Sequence, residues 1–139
     1  MKKFYFGASI RGGREHVSVY EEIKYLLSNY GEVLTEHVAD KTLTSQGEVT
    51  RKDEDIFARD VEWINEADVL VMECTGPSLG VGWETAYGQW KGKIVLWLYN
   101  EKLAQRSLSA MVAGNPYVKL LRYRTLDDVK QFFNQHLKA

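Results

Sequence analysis

The sequence predicts a single α/β domain, built as a doubly wound sandwich of about five parallel strands with helices on both faces. Short apolar runs alternate with segments of helical periodicity along the whole chain. The strand-like runs are apolar on both faces, as a sheet that is covered on both sides requires. The chain has 139 residues, 45% hydrophobic and 27% charged, which fits one domain over residues 1–139.

The first half of the chain predicts two strands and two helices. Asn29–Gly31 is typical of a helix end, because glycine there relieves the backbone strain. The segment Lys41–Lys52 is polar, lacks periodicity and forms the longest predicted loop. The predicted elements are a strand starting at Phe4–Gly7, a helix with apolar positions Val17, Tyr20, Ile23 and Leu27, a strand at Val33–Thr35 and a helix at Ile56–Ala67.

The second half continues the alternation, so the predicted architecture is Rossmann- or flavodoxin-like. Thr125–Asp128 has the pattern of a helix cap, and the following residues have one apolar face. The predicted elements are a strand at Val69–Met72, a helix at Val81–Trp90, a strand at Ile94–Leu98, a short helix at Arg106–Met111, a strand at Tyr117–Leu121 and a last helix with apolar positions Leu126, Val129, Phe133 and Leu137.

Composition narrows the classes of partner. The formal net charge is −1 and no basic stripe is present, so we expect no nucleic-acid partner and favour a small molecule. Apolar runs reach about five residues, far short of the ~20 that a membrane helix needs, so no membrane partner is expected. The single cysteine, Cys74, excludes an intrachain disulfide. A cytoplasmic protein, or a nuclear one, is the expectation.

Motifs for metals and common cofactors are missing from the sequence. There is no Cys-x-x-Cys and no His-Glu-x-x-His, so no metal is expected, and no cofactor is expected either. The Gly-x-Ser-x-Gly motif of serine hydrolases is also missing. Gly80-Val81-Gly82 is a weak dinucleotide signal, because it follows the third strand and lacks a third glycine.

Polar and glycine-rich loops follow the first three predicted strands. They are Ser9–Arg14, Glu36–Asp40 and Thr75–Gly82, and they collect glycine, arginine, histidine and serine. In doubly wound sheets, ligands bind at the carboxyl ends of the strands, near the switch in strand order. The sequence therefore predicts a ligand site at this edge of the sheet.

The glycine-rich stretch Pro77–Glu84 lies between a predicted strand and a predicted helix. Glycines there let backbone N–H groups approach a ligand, and a helix N-terminus favours an anion. Glu84 stands in the predicted first turn, where it is either a partner of the helix dipole or a reactive carboxylate beside an anion site. One apolar face of the helix is predicted to consist of Trp83, Ala86, Tyr87 and Trp90.

Asp60 is a second carboxylate in an unusual place. It lies four residues from Ile56 and three from Trp63, on the apolar face of its predicted helix. A buried carboxylate needs an N–H or arginine partner, or else serves as a tuned acid beside a site. Two carboxylates in different settings, Glu84 and Asp60, are what glycosyl chemistry needs, and a retaining pair lies about 5–5.5 Å apart.

Four segments in order carry a resemblance to a known family: Ser9–Glu15, Leu34–Asp40, Pro77–Glu84 and Leu108–Met111. The sequence resembles the 2′-deoxynucleoside 5′-monophosphate N-glycosidases, within the nucleoside 2-deoxyribosyltransferase-like superfamily. The resemblance covers nearly the whole chain. It implies hydrolysis of the bond between base and deoxyribose, in a homodimer with shared active sites.

The resemblance also implies residue roles. Glu84 matches the nucleophile that forms a glycosyl-enzyme, Asp60 the carboxylate that assists departure of the base, and Tyr5 a tyrosine that orients the nucleophile. Ser109 matches a serine that the neighbouring subunit supplies to the phosphate. Other matches to phosphate-binding groups are Ser9, Arg11, Ser78 and Gly80. Matches to positions that line the base are Ile10, His37, Ile56 and Trp63.

Two other functions remain open on the sequence. One is a transferase of the same superfamily that passes deoxyribose between bases. The other is a nucleotide-binding module without turnover, which the presence of both Glu84 and Asp60 disfavours because binding alone needs neither. The donors Arg11, Ser78 and Ser109 favour a phosphorylated substrate and therefore the hydrolase.

Overall fold

The computed structural model describes residues 1–9, 17–35 and 52–138, and a five-stranded parallel sheet forms its centre. The strands are β1 (Lys2–Ala8), β2 (Gly31–Val33), β3 (Val69–Glu73), β4 (Ile94–Asn100) and β5 (Val118–Tyr123). The helices are α1 (Val17–Ser28), α2 (Asp53–Glu66), α3 (Leu79–Trp90), α4 (Ala110–Ala113) and α5 (Leu126–Leu137).

The strand order is β2-β1-β3-β4-β5, with every neighbouring pair parallel. The predicted fold class, a doubly wound α/β sandwich, is therefore confirmed. The order switches direction between β1 and β3, which opens a crevice at their carboxyl ends. Ala8 of β1 is in register with Glu73 of β3, so the loops that follow these two strands leave the sheet side by side.

The sheet separates two hydrophobic cores. Phe4 and Phe6 of β1 pack towards α1 and α5, whereas Tyr5 between them packs towards α2 and α3. This alternation follows from the two-residue period of a strand. The cap predicted for the last helix is present, since Thr125 and Asp128 exchange side-chain hydrogen bonds with each other's backbone N–H. No helix in the described ranges is both long and apolar enough to cross a membrane.

Two predicted elements are displaced in the structure. β2 ends at Val33 rather than spanning 33–35, because the Thr35 hydroxyl takes over the pairing. It accepts from the Phe6 N–H at 2.8 Å and donates to the Phe6 carbonyl at 2.7 Å, which replaces the backbone ladder. The short helix predicted at Arg106–Met111 is instead Ala110–Ala113, because Ser109 caps it by accepting from the Met111 N–H.

The aromatic side chains predicted to share one face of α3 do so, but that face lies largely at the surface rather than against the sheet. Val81, Thr85 and Gly88 are buried against the sheet, and the aromatic stripe lies outside. Trp83 is 46% exposed and Trp90 80%. Four rings contact one another in a row, with centroids 5.2 Å apart for the tilted pair Phe57–Trp83, 5.2 Å for the stacked pair Trp83–Tyr87 and 6.3 Å for the tilted pair Tyr87–Trp90. Tyr87 is partly buried and also packs against the core. We call Phe57, Trp83, Tyr87 and Trp90 the aromatic surface.

Close packing of α3 on β3 requires a glycine at position 88. A Cβ there would lie 2.2 Å from Leu70 Cδ2, and Leu70 is fully buried. We expect Gly88→Ala to lower the free energy of unfolding by about 1–3 kcal/mol. Gly82→Ala in the same helix is the matched control, because a Cβ there meets nothing within 4 Å. It should be neutral or stabilise by up to ~1 kcal/mol. Denaturant unfolding of both variants checks this, and equal effects would contradict the packing argument.

Candidate active site

A tyrosine–glutamate pair lies at the switch point of the sheet. The Tyr5 hydroxyl of β1 donates a hydrogen bond to Oε2 of Glu84 on α3. Gly7 makes room for the carboxylate, because a Cβ at this position would lie 3.3 Å from Glu84 Oε1 and 2.6 Å from Met72 Sδ. α3 begins at Leu79, so Glu84 lies in its second turn rather than its first. The role as a partner of the helix dipole is therefore wrong, since that effect is confined to the first turn.

The environment of the pair holds Glu84 largely protonated at neutral pH. Burial raises the pKa of Glu84 to about 8, the Tyr5 hydrogen bond acts to lower it, and the negative charge of Asp60 raises it further. Burial, followed by the charge of Glu84, raises the pKa of Tyr5 well above its usual value, so Tyr5 stays a hydrogen-bond donor. A carboxyl group whose pKa lies this close to neutrality is typical of a residue in a functional site.

Asp60 is paired with an arginine. Its side chain is 19% exposed, and its Oδ1 accepts from Arg59 Nε at 3.1 Å and lies 3.0 Å from Arg59 Nη2. The sequence left open whether this carboxylate has a partner or belongs to a site. The structure supplies the arginine partner, and the negative charge of Asp60 also acts to raise the pKa of Glu84.

The turn from β3 to α3 presents a helix N-terminus at the same edge of the sheet. Ser78 is the N-cap of α3, and its Oγ accepts from the Val81 N–H at 3.2 Å. Gly80 is exposed in the first turn, where a Cβ would meet only Ser78 Oγ at 3.9 Å. Ser9 follows β1; it is buried, and its Oγ has no hydrogen-bond partner within the described part of the chain. This arrangement is suited to an anion, because backbone N–H groups and a hydroxyl remain available to it.

The remaining predicted site residues fall into three groups. Ile56 and Trp63 lie on α2, on either side of Asp60, and both are partly buried. Ser109 is exposed after β4, where its hydroxyl caps α4 within the same chain. Three predicted residues lie outside the described residues: Ile10, Arg11 and His37.

A buried glutamate that was not expected from the sequence lies beneath the turn. Glu73, the last residue of β3, is 1% exposed, and its carboxylate accepts from the Thr75 N–H at 2.8 Å, the Thr75 hydroxyl and the Tyr123 hydroxyl. The Thr75 hydroxyl also accepts from the Asn100 N–H at 2.9 Å. These bonds tie together the ends of β3, β4 and β5. The signal was present, since Glu73 directly follows four apolar residues of a strand that is buried on both faces.

Comparison with known proteins identifies the family. A model of the family described as nucleoside 2-deoxyribosyltransferase matches residues 4–121. A 5-hydroxymethyl-dUMP N-hydrolase from Esox lucius is 46% identical over 139 residues, covering 97% of this chain and 95% of the relative. The protein of the same name from Danio rerio is 39% identical over 138 residues, covering 97% and 95%.

A solved structure supports the same fold. The CMP N-glycosidase of Clostridium botulinum superimposes with a TM-score of 0.66 at 18% identity, covering 98% of this chain and 100% of that one. The family match, the relatives and the shared architecture agree with one another. The chain belongs to the nucleoside 2-deoxyribosyltransferase family.

Proposed function

We propose that the chain hydrolyses the N-glycosidic bond of 2′-deoxynucleoside 5′-monophosphates, releasing the free base and 2-deoxyribose 5-phosphate. The observation that carries the proposal is the partly buried Glu84, which accepts a hydrogen bond from Tyr5, feels the charge of Asp60 and lies in the second turn of α3. The 5-hydroxymethyl-dUMP N-hydrolases that resemble this chain support the same reaction class.

In the proposed mechanism, an oxygen of ionised Glu84 attacks C1′ of the sugar while the bond from C1′ to the base breaks. The bonding electron pair leaves with the base, and a glycosyl-enzyme ester forms on Glu84. Asp60 assists the departure of the base. Water then attacks C1′ and releases a proton, which balances the one that the departed base takes up, the ester bond breaks, and Glu84 returns as a carboxylate. The Tyr5 hydroxyl keeps one carboxylate oxygen oriented, which leaves the other available for attack.

The site offers a place for a 5′-phosphate. The Ser9 hydroxyl, which has no hydrogen-bond partner among the described residues, and the first turn of α3 at Ser78 and Gly80 support a site for a dianion, and we assign Arg11 to the same group from the sequence. Charge-assisted hydrogen bonds of this kind contribute about 1.5–3 kcal/mol each. Two of them would favour a nucleotide over the matching nucleoside by roughly 10²–10⁴-fold. We assign the base to the side of the site formed by α2, near Ile56 and Trp63. Ile10 and His37 are assigned to the base from the sequence.

A homodimer is part of the proposal. Ser109 is exposed, and its neighbour Met111 is 81% exposed. Leu79, at the start of α3, is 98% exposed, and the aromatic surface continues along the same helix. Apolar side chains grouped around a phosphate site are suited to a second copy of the chain, whose Ser109 would complete the site. A two-fold axis makes this donation reciprocal.

A base-release assay tests the function. We expect base release from 2′-deoxynucleoside 5′-monophosphates, with kcat/KM at least ~10²-fold lower for the matching nucleosides, which leave the phosphate contacts unfilled. Glu84→Gln should lower turnover at least ~10³-fold, because the covalent step loses its nucleophile. Comparable rates with nucleosides, or dependence on an acceptor base, would instead favour the transferase. Near wild-type turnover of Glu84→Gln would contradict the role of Glu84.

The dependence of kcat/KM on pH tests the electrostatics of the pair. Activity needs ionised Glu84, so kcat/KM should rise with pH through about 8 in the wild type. Tyr5→Phe removes the donor that lowers the pKa of Glu84 and should move the rise to higher pH. Asp60→Asn removes a negative charge and should move it to lower pH. Profiles between about pH 5 and 10 measure these shifts; the substrate phosphate titrates near pH ~6 in all three proteins. If the two variants moved the rise in kcat/KM in the same direction, the assigned effects of Tyr5 and Asp60 on the pKa of Glu84 would be contradicted.

Mixing two inactive variants tests the shared site. One chain carries Glu84→Gln, and the other carries Ser109→Trp, which blocks the phosphate position. If Ser109 acts on the neighbouring site, one site of each mixed dimer contains neither change, and activity per chain should recover to about a quarter of the wild-type value. Subunit exchange is followed separately with differently tagged chains. Full exchange without recovery would rule out the shared site.

A further inference from the structure

Two neighbouring strands leave a small space beneath Glu84, and the side chain of Met72 fills it. Gly7 of β1 and Met72 of β3 are in register. A Cβ at Gly7 would lie 2.6 Å from Met72 Sδ, 3.4 Å from Met72 Cε and 3.3 Å from Glu84 Oε1. The thioether and the carboxylate therefore border the same space, which a side chain at position 7 would otherwise occupy.

The backbone at position 7 does not itself require a glycine. Gly7 lies within a regular strand, and Gly92 is the only described residue with a positive φ. Met72 is fully buried, so it has little room to move away from a larger residue at position 7. Methionine is suited to an irregular gap because its side chain is unbranched and flexible. Gly7 and Met72 thus form one packing unit.

This packing unit lies on the side of the carboxylate that the proposed mechanism uses. Tyr5 donates its hydrogen bond to Oε2 of Glu84, so Oε1 is the oxygen left for attack. Oε1 is also the oxygen that faces Gly7 and Met72. A thioether has no proton to donate, so the carboxylate has an apolar neighbour here in place of water. Such burial is the largest cause of the raised pKa of Glu84.

We propose that Met72 is a positioning residue for the nucleophile: its side chain fills the space that Gly7 leaves, keeps water from Glu84 Oε1 and holds the carboxylate against the Tyr5 hydroxyl. This inference rests on the proposed function, in which Glu84 attacks the sugar. A carboxylate with fewer water contacts gives up less solvation when it attacks C1′. The packing therefore lowers the fraction of ionised Glu84 and raises the reactivity of each ionised group.

The charged and titratable groups around Glu84 are separate from the packing unit. Among the described residues they are Tyr5 of β1, Asp60 and Arg59 of α2, and Cys74 after β3. Burial raises the pKa of Cys74 to about 12, so its thiol stays neutral while Glu84 titrates. Substitutions at position 72 alter none of these groups. A change in the pKa of Glu84 in such variants therefore measures altered packing and hydration around the carboxylate.

A carboxyl titration tests the proposal independently of activity. The pKa of Glu84 is measured by carbon-13 NMR on protein labelled at the glutamate carboxyl carbons, and Glu84→Gln identifies the signal. Met72→Ala admits water and should lower this pKa by about 1 or more. Met72→Leu keeps a similar apolar volume and should leave the pKa nearly unchanged.

Leu70→Ala is the matched control. Leu70 is also fully buried in β3 and belongs to the same core as Met72, but it packs against Gly88 of α3 rather than beside the carboxylate. Its truncation should destabilise the fold to a similar extent as Met72→Ala. The pKa of Glu84 should nevertheless stay at its wild-type value.

The pH profile of kcat/KM gives a second measurement. Met72→Ala should move the rise to lower pH and lower the plateau about tenfold, because the ionised carboxylate is better hydrated. Gly7→Ala should lower turnover in the wild-type chain, because its methyl group would collide with Met72 Sδ. In the Met72→Ala chain the same methyl group fills part of the vacated space and should move both the midpoint and the plateau back towards wild type.

Several results would overturn the proposal. They are a pKa of Glu84 that does not fall in Met72→Ala, an equal fall in Leu70→Ala, and a fall in Met72→Leu as large as in Met72→Ala. If Met72→Ala does not fold, Met72→Val removes part of the same side chain and should give a smaller fall. Absence of base release from every monophosphate would refute the proposed function, whereas the NMR titration would still decide whether Met72 controls the hydration of Glu84.

Discussion

The hydrogen bond from Tyr5 to Glu84 is the interaction on which the rest of the site depends. It joins strand β1 to helix α3 at the switch point of the sheet, in space that Gly7 leaves open. Burial at this position disfavours the ionised form of Glu84 and so raises its pKa. Because its pKa rises from 4.5 to about 8, the stability that this group contributes is full below about pH 4.5 and is lost as pH rises through 8. The fold thus carries a cost near neutral pH to keep a reactive group in place.

The sheet edge is organised so that this pair has defined surroundings. Parallel strands send their carboxyl ends to one edge, so Ser9 after β1, the turn after β3 and the segment after β4 start from the same edge. Glu73, Thr75 and Tyr123 connect the ends of β3, β4 and β5 to one another beneath the turn to α3. A buried carboxylate is tolerated there because donors surround it. Electrostatic preorganisation of this kind requires rigid support, and the network provides it.

The sequence was informative where periodicity and topology decide the outcome. Alternating strands and helices predicted the fold, and the rule for carboxyl ends predicted a site at the edge where Ser9 and Ser78 lie, whereas the role of Tyr5 came from the resemblance to the family. It failed where only tertiary packing decides. The helical spacing of Trp83 and Trp90 indicates that they share a face, but it does not tell which face of the helix is buried. The buried face contains Gly88, because α3 approaches β3 too closely there for a larger residue. The Arg59–Asp60 ion pair depends on side-chain conformation, which no spacing rule predicts. The roles of the phosphate- and base-binding residues remain predictions.

Trapping of the covalent intermediate tests the central claim most directly. The protein is mixed with a 2′-fluorinated deoxynucleotide carrying a good leaving base, because fluorine at C2′ slows both steps while the leaving base restores the first. Acid quenching, intact-mass measurement and peptide mapping then locate any adduct. Our account predicts one sugar phosphate esterified to Glu84 and none in a Glu84→Gln chain. Release of base with no adduct on any quenching timescale, or an adduct on another residue, would contradict it.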